Sequence, residues 1–368
     1  MAANLPTTMK ALVIDGSSKG AIVDSHRKVP TPQNDQLLIK TVAVALNPTD
    51  WRGVTGGRGK PGCIVGCDYA GVVVAVGDGA APGKNWKVGD RVYGTGHGSN
   101  SVNPDGGVFA EYAVVLADFQ MRLPDAAGEL GFEGASTIAL GAITVGQGLF
   151  QKALHLELPD IQTAANPPAR DTPVLIYGGS TATGALGIQF ARRAGYTVIT
   201  TCSPANFDYV KSLGASHVVD YHDADAGKTI RELTNNKLYH AWDTVSVVQS
   251  AQICADALST DTTQQTPKYG SILTATCPRD DVQSTFTLMY TGLGKAFRFG
   301  SQTLPADAED AAFAKTFCVL TEQLVAAGLV KPHTYRVEKG GLEGITDGLV
   351  RLQQGKVRAE KLVYRLED

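Results

Sequence analysis

The sequence predicts an α/β protein that combines a mostly β domain with a doubly wound parallel sheet. Short apolar runs separated by glycine turns fill the N-terminal third, and from residue 174 similar runs alternate with amphipathic helical stretches. Strands joined by tight turns are typical of a compact β domain, whereas regular alternation is typical of a parallel sheet with helices on both faces. The 368 residues are enough for two or three domains.

The N-terminal elements follow from local residue patterns. Runs rich in Val, Ile, Leu and Ala predict strands over 9–14, 36–46 and 71–76, with Gly-Asp turns at 77–78 and 89–90. Apolar residues at helical spacing predict a helical segment over 132–154. The proline-rich polar stretch 159–173 is expected to be a surface connector.

The alternating part begins after this connector. Predicted strands are 174–177, 197–201, 217–220, 241–245 and 271–275, and the helices between them are 185–194, 207–213, 229–234 and 250–258. The polar stretch 259–268 predicts a loop. A long helix over 308–327 then leads to a strand at 334–337, a helix at 342–354 and a last strand at 361–366. This C-terminal part resumes the pattern of the first domain.

Composition excludes several classes of function. With 33 basic and 36 acidic residues the chain has a net charge of −3, so we expect no nucleic-acid partner and no membrane surface partner. The N-terminus has no apolar signal core and no stretch approaches a membrane span, which predicts a cytoplasmic protein. Six scattered cysteines without a CxxC indicate buried thiols. Cys63 and Cys67 could supply two metal ligands, but no second pair completes a zinc site, and we expect no metal.

A glycine-rich turn follows the predicted strand 174–177 and precedes a helix. Gly179, Thr181 and Gly184 occupy the register of GxGxxG, with threonine in place of the middle glycine. Glycines allow the tight turn and close helix packing, and a helix N-terminus presents free N–H groups to a pyrophosphate. The alternative is an ordinary strand-to-helix turn. We predict that the phosphate-binding residues are Gly179, Ser180, Thr181, Ala182, Thr183 and Gly184.

The residues at the end of the next predicted strand, 197–201, determine whether the site prefers NADH or NADPH. Sites specific for NADH place Asp or Glu there for the ribose 2′-hydroxyl, and the strand end Thr200-Thr201-Cys202-Ser203 contains no acid. Ser203 and Lys211 could instead hold a 2′-phosphate, and Tyr221 could add a hydroxyl. Each could equally be a solvated surface residue. Together they predict NADPH as the cofactor.

Several motifs carry a family resemblance over essentially the whole chain. They are GCDYAG (66–71), VGDRVYG (88–94), GGVFAEY (106–112), the altered glycine loop and TEQLVAAGLVKP (321–332), and they resemble the medium-chain dehydrogenase/reductase superfamily. VLIYGGSTATG (174–184), TCSPANFDYVKSLGA (201–215) and AEKLVYRLE (359–367) more narrowly resemble the trans-acting enoyl reductases of fungal polyketide pathways, the lovastatin pathway included. The resemblance implies a discontinuous GroES-like catalytic domain, 1–155 and 312–368, with a Rossmann NADPH-binding domain, 156–311, inserted.

The resemblance also implies which residues surround the reaction. Zinc-containing relatives supply a Cys–His–Cys set, where this chain has Asn47, Cys67 and an apolar residue near Leu140, so the resemblance implies a zinc-independent enzyme. Thr144 and the residue after NPTDW are expected beside the nicotinamide and substrate. That residue is usually lysine in the family but is Arg52 here, which cannot give up a proton at neutral pH. Asn47 either touches the cofactor or caps the turn.

The implied activity is NADPH-dependent reduction of the α,β-double bond of a polyketide thioester tethered to the acyl carrier domain of a partner polyketide synthase, or of a synthase–peptide synthetase hybrid. Two other readings are a free-standing quinone or enone oxidoreductase and a non-catalytic NADPH-binding protein. Quinone-reductase relatives commonly dimerise through sheet edges. Here the stretch 295–299 is followed by the polar, proline-bearing GSQTLPADAED, which predicts a blunted edge and a monomer.

Overall fold

The computed structural model describes residues 5–16, 20–80, 83–124, 130–299 and 301–366. The chain divides into two compact units. The first comprises residues 1–140, 290–322 and 332–368, and the second comprises residues 141–289 and 323–331.

Strands and helices of both units are numbered in chain order. The strands are β1 (Thr8–Ile14), β2 (Ala21–Lys28), β3 (Gln36–Ala45), β4 (Asp68–Val76), β5 (Arg91–Thr95), β6 (Tyr112–Leu116), β7 (Met121–Arg122), β8 (Pro173–Tyr177), β9 (Thr197–Thr201), β10 (His217–Val219), β11 (His240–Asp243), β12 (Lys268–Ser271), β13 (Gln283–Phe286), β14 (Phe297–Phe299), β15 (Gln302–Leu304), β16 (Tyr335–Glu338) and β17 (Lys361–Arg365). The α-helices are α1 (Pro48–Thr55), α2 (Gly131–Ala135), α3 (Ala139–Val145), α4 (Ala182–Arg193), α5 (Phe207–Ser212), α6 (Ala226–Leu233), α7 (Val248–Ala257), α8 (Ala308–Ala326) and α9 (Gly341–Gln353).

The first unit is organised by a seven-stranded sheet in the order β16-β17-β3-β4-β5-β7, with β6 also paired to β3. The antiparallel register sets Ala45, the last residue of β3, opposite Asp68, the first residue of β4. On the other side of β3, the Leu46 N–H donates to the Leu362 carbonyl at 2.9 Å. This pairing brings three distant polar segments, 47–50, 67–68 and 361, to one end of the sheet.

The second unit is a six-stranded sheet in the order β10-β9-β8-β11-β12-β13, in which all pairs are parallel. Its order runs outward from β8 in one direction and from β11 in the other. The carboxyl ends of β8 and β11 therefore flank the point where the strand order reverses, which is where doubly wound sheets bind ligands. The doubly wound parallel sheet and the mostly β domain are both confirmed.

Several predicted elements were wrong in extent. The strand predicted at 271–275 is β12, which ends at Ser271, because the Ile272 N–H donates to Ser246 Oγ at 3.0 Å instead of continuing the ladder. The predicted loop 259–268 accordingly ends one residue earlier. The helical segment predicted over 132–154 is divided into α2, α3 and a π-helical stretch, Gly146–Gln151. Gly148 lies on the Trp242 indole, where a Cβ would come within 2.2 Å of Nε1.

The structural units begin and end elsewhere than the predicted domains, 1–155 with 312–368 and 156–311. Residues 141–155 lie in the second unit, residues 290–311 lie in the first, and 323–331 return to the second. The stretch 295–299 contains β14, which pairs with β15 in a separate two-stranded sheet. The edge strand of the parallel sheet on that side is β13, so the sequence argument about a blunted edge concerned the wrong strand.

All six cysteines are free and buried, as the sequence predicts. Among the described residues no helix has the length and apolar character needed to cross a membrane.

Candidate active site

The glycine loop of the second unit joins β8 to α4 by a turn that only small residues allow. Gly178 has a φ of +81°, and a Cβ on Gly184 would lie 2.2 Å from the Gly178 carbonyl oxygen. A Cβ on Gly179 would lie 2.2 Å from Thr200 Oγ1. These close approaches bring the start of α4 directly over the end of β8, which is the arrangement that a pyrophosphate requires.

Thr181, which replaces the middle glycine of the motif, has a structural role. Thr181 is the N-cap of α4, and its Oγ1 accepts from the Gly184 N–H at 2.9 Å. The same oxygen lies 2.9 Å from Thr244 Oγ1, at the end of β11. The Thr181 hydroxyl is therefore engaged within the protein. The N–H groups of Ala182 and Thr183, in the first helical turn, have no acceptor within the helix and remain the natural phosphate donors.

The residues expected to read the 2′-phosphate follow β9 and β10. Ser203 is half-buried, and its Oγ accepts from Asn206 Nδ2 at 3.1 Å. Lys211 is exposed on α5, and Tyr221 is half-buried, with its ring 6.3 Å from that of Tyr177. Asp220, the acid beside Tyr221 in the sequence, accepts from the His222 N–H at 3.0 Å. No carboxylate ends β9, so the residues present fit a cofactor with a 2′-phosphate.

A buried carboxylate that the sequence did not reveal holds the loop after β11. Asp243 is fully buried and accepts from the Val245 and Ser246 N–H groups at 2.9 and 2.8 Å. The Tyr269 and Ser250 hydroxyls donate to it at 2.8 and 2.6 Å. Four donors satisfy this charge. They fix the loop beside the strand-order reversal that faces the predicted cofactor site.

Asn47 occupies the N-cap position of α1, although its own side chain makes no capping hydrogen bond. It precedes α1, and its N–H donates to Asp50 Oδ2 at 2.7 Å, while Pro48 occupies the first helical turn. The Asn47 side-chain amide is occupied as well, because Nδ2 donates to Asp68 at 2.9 Å and Oδ1 accepts from Lys361 at 2.9 Å. The amide is thus hydrogen-bonded within the protein, and the expectation that Asn47 contacts the cofactor stays a prediction.

Lys361 and Asp68 form a buried ion pair beneath α1. Their side chains are 4% and 0% exposed, and Nζ lies 2.7 Å from Oδ2. The other Asp68 oxygen accepts from the Leu140 N–H at 2.8 Å. Asp68 therefore has a structural role, with a lysine, the Asn47 amide and a helix N–H as its partners. A buried charge of this kind needs every one of these contacts.

Arg52 lies half-buried on α1 with its guanidinium 5.3 Å from the Trp51 ring centroid. Burial lowers the pKa of Arg52, and the charge of Arg58 lowers it further. No hydrogen bond or ion pair to this guanidinium occurs within the part of the chain that the structure describes. Its donors are available to an anion. Thr144, in α3, is buried and belongs to the second unit.

A polar cluster in the first unit was missed by the sequence reasoning. The Tyr290 hydroxyl lies 2.7 Å from Thr49 Oγ1 and 3.3 Å from Cys67 Sγ. The Tyr290 ring stacks on His97 with centroids 3.7 Å apart, and burial lowers the pKa of His97 to about 3, so this imidazole is neutral. Burial also raises the pKa of both Tyr290 and Cys67 well above their ordinary values.

Asp50 closes this cluster on its buried side. Burial raises its pKa to about 7, and the charge of Asp68 adds to this, whereas the Asn47 N–H, the Cys67 thiol and Lys361 oppose it. Among the described residues no group of three His, Cys, Asp or Glu side chains is arranged to hold a metal ion. The elements of the cluster are distant in sequence, and only the Asn-Pro-x-Asp capping signature could have located α1 beforehand.

Comparison with known proteins places the two units in recognised domain families. Residues 33–125 match the alcohol dehydrogenase GroES-like domain, and residues 182–263 match the zinc-binding dehydrogenase domain. The fold resembles an alcohol dehydrogenase superfamily protein from Novosphingobium aromaticivorans, with a TM-score of 0.76 and 22% identity over 98% of this chain and 100% of that one. It also resembles the CurK enoyl reductase, with a TM-score of 0.73 and 18% identity over 98% and 99%.

Curated relatives match over nearly the full length. The trans-enoyl reductase resD of Aspergillus sclerotiorum is 42% identical over 97% of this chain and 100% of its own. The trans-enoyl reductase ACTTS2 of Alternaria alternata is 39% identical over 98% and 99%. The trans-enoyl reductase TOXD of Cochliobolus carbonum is 44% identical over 79% and 92%. The chain therefore belongs to the trans-enoyl reductases of the medium-chain dehydrogenase/reductase superfamily.

Proposed function

We propose that this protein reduces the α,β-double bond of an enoyl thioester carried on the acyl carrier domain of a partner polyketide synthase, or synthase–peptide synthetase hybrid, with NADPH as the cofactor. The observation that carries the proposal is the 42% identity to a trans-enoyl reductase over 97% of the chain. The glycine loop at the reversal of strand order supports a dinucleotide cofactor independently of that relationship.

The cofactor site is assembled from the second unit. Its phosphate-binding residues would be Gly179, Ser180, Thr181, Ala182, Thr183 and Gly184, with the free N–H groups at the start of α4 facing the pyrophosphate. Ser203, Lys211 and Tyr221 would hold the 2′-phosphate. When bound, the nicotinamide supplies a hydride to the β-carbon of the substrate.

Arg52 would stabilise the negative charge that develops on the thioester oxygen. A preorganised donor of this kind contributes roughly 3 kcal/mol to the lowering of a barrier. The guanidinium is half-buried and has no hydrogen-bonded partner among the described residues, which leaves its donors available for that oxygen. Arg52 keeps its proton at neutral pH and so stabilises charge without acting as the acid. Thr144 would donate near the nicotinamide, and Asn47 would either contact the ribose or nicotinamide or act indirectly, from the N-cap position of α1.

A deuterium label on the hydride that NADPH transfers tests the reaction. With NADPH deuterated at the transferring position of C4, mass spectrometry of the reduced thioester should locate one deuterium at the β-carbon. Arg52→Ala should lower kcat by about a hundredfold, whereas Arg52→Lys should retain much of it. Deuterium that never reaches the product would contradict the proposal.

The proposed preference for NADPH rests on the absence of an acid directly after β9, at residues 202–203. Replacing Lys211 with Ala should weaken NADPH binding by about tenfold, on the order of 1–2 kcal/mol for a charge-assisted hydrogen bond, and leave NADH binding unchanged. Lys237→Ala, another exposed lysine of the same unit, is the matched control. Equal affinity of the wild type for both cofactors would contradict the preference.

Zinc independence is part of the same proposal. Asn47 and Cys67 stand where zinc-containing relatives have ligands, and Asn47 is committed to Asp68 and Lys361. Elemental analysis should find far less than one zinc per chain, and a chelator should leave turnover intact. Stoichiometric zinc with chelator-sensitive turnover would overturn this part.

A further inference from the structure

The proton that must reach the α-carbon has a candidate path in the polar cluster of the first unit. Thr49, Tyr290 and Cys67 follow one another by contact, and the carboxyl of Asp50 lies near the Cys67 thiol. Asp50, Cys67 and Tyr290 are 2%, 2% and 4% exposed, whereas Thr49 is half-buried. Thr49 is therefore the member through which a proton can leave the cluster.

We propose that Thr49 delivers the α-carbon proton and that Tyr290, acting through Thr49, relays it from the buried end formed by Cys67 and Asp50. This inference rests on the proposed enoyl reduction. Thr49 and Arg52 are three residues apart on α1, which places them as neighbours on one helix face. The proton donor and the proposed partner of the thioester oxygen thus lie side by side.

The hydrogen-bond directions in the relay of Thr49, Tyr290 and Cys67 depend on Asp50. Arg58 Nη2 donates to Thr49 Oγ1 at 3.0 Å, and because a guanidinium cannot accept, this bond has only one direction. With Asp50 protonated, the carboxyl can donate to Cys67, Cys67 to Tyr290 and Tyr290 to Thr49, so that the Thr49 proton points out of the cluster. With Asp50 ionised, all of these bonds reverse and the Thr49 proton points to Tyr290.

The surroundings of Asp50 keep its protonated form accessible near neutral pH. Its Oδ1 is buried without a hydrogen-bond partner among the described residues. Burial is the main cause of its raised pKa, about 7. The charged and titratable groups that face the chain are Asp68 on β4, Lys361 on β17, Arg58 beside Thr49 and the neutral His97 stacked on Tyr290.

The step balances in atoms and electrons. The hydride from the cofactor adds to the β-carbon, and the π electrons of the double bond move to the α-carbon and thioester oxygen. The Thr49 O–H bond breaks as the new α-carbon–hydrogen bond forms. Thr49 takes a proton from Tyr290, Tyr290 from Cys67, and Cys67 from Asp50, which becomes a carboxylate. After product release, the chain runs in reverse and solvent restores the proton through Thr49.

Tyr290→Phe removes the relay hydroxyl and keeps the ring on His97. We expect kcat to fall by on the order of a hundredfold, a typical contribution of general acid catalysis, with NADPH affinity unchanged. In the wild type, kcat should fall as pH rises through about 7, and Tyr290→Phe should lose this dependence. Tyr93→Phe, which removes another buried hydroxyl from the first unit, should behave as the wild type.

An infrared measurement on the cofactor-free protein tests the proton relay without turnover. The S–H stretching band of Cys67, assigned by its loss in Cys67→Ala, should shift in frequency as pH crosses about 7, because its acceptor changes from Tyr290 to Asp50. Asp50→Asn should abolish the shift with pH, and Tyr290→Phe should displace the band at low pH.

The outcomes separate this inference from the proposed function. A wild type that turns over no enoyl thioester overturns the proposed function. An active wild type with an equally active, equally pH-dependent Tyr290→Phe overturns the relay alone. If the frequency of the Cys67 S–H band changes neither with pH nor on the Asp50→Asn substitution, the relay is also overturned. This holds even if the Tyr290→Phe variant does not fold.

Discussion

Removing the buried lysine beneath α1 should be one of the most damaging single changes in the first unit. Lys361 Nζ donates to Asp68 at 2.7 Å, to Asn47 Oδ1 at 2.9 Å and to the Thr137 carbonyl at 3.4 Å. Lys361→Met keeps the length of the side chain and deletes all three contacts, leaving a carboxylate that is 0% exposed without its counter-charge. Breaking a buried pair in this way costs about 3–5 kcal/mol.

Urea unfolding at pH 7 measures this cost from the shift of the midpoint at constant slope. Lys10→Met is the matched control, since Lys10 pairs with Glu343 at 3.0 Å but the two side chains are 48% and 59% exposed. Its midpoint should stay within experimental error, because an exposed pair contributes little. Adding Asp68→Asn to Lys361→Met should recover part of the loss, because the orphaned charge is then gone. If Lys361→Met and Lys10→Met shift the midpoint equally, the reasoning about burial is refuted.

Two further predictions concern the cofactor loop and the buried acid. Gly184→Ala should weaken NADPH binding at least tenfold in a fluorescence titration, because its Cβ would lie 2.2 Å from the Gly178 carbonyl oxygen. Gly83→Ala is the control, because a Cβ on Gly83 meets nothing within 4 Å. Equal NADPH affinities of the two variants would contradict the prediction. Asp50 keeps its proton in the folded state up to a pKa of about 7 but loses it near 3.8 when unfolded, so the free energy of unfolding should fall as pH rises through this window, by about 4 kcal/mol at most. Urea curves of wild type and Asp50→Asn at pH 5 and pH 8 check this, and a parallel response of both proteins would count against it.

The sequence predicted those features that local patterns determine. The strand, glycine turn and helix of the cofactor loop are contiguous, so the roles of Gly179 and Gly184 follow from their spacing alone. The strand β12 was displaced because its residues, KYGS, are less apolar than the ILTA that follows, and only pairing with β11 and β13 defines its register. Burial between two strands is not visible in a single sequence.

The first-unit site could be predicted only in part, because its contacts join distant segments. Tyr290 lies 241 residues from Thr49, and Lys361 lies 293 residues from Asp68. No local sequence motif around Tyr290 or Lys361 predicts which residue each of them contacts. The start of α1, however, has a local signal in the sequence, since Asn47, Pro48 and an acid at the third helical position indicate a helix start.

The central claim is most directly tested by comparing substrates in one assay of NADPH consumption. The protein should oxidise NADPH with crotonyl thioesters, and faster when the thioester is bound to an acyl carrier domain than to a soluble thiol, because the tether raises the effective concentration at the site. Simple quinones should be turned over slowly. Rapid turnover of quinones with inert crotonyl thioesters would contradict the account and indicate a free-standing quinone oxidoreductase.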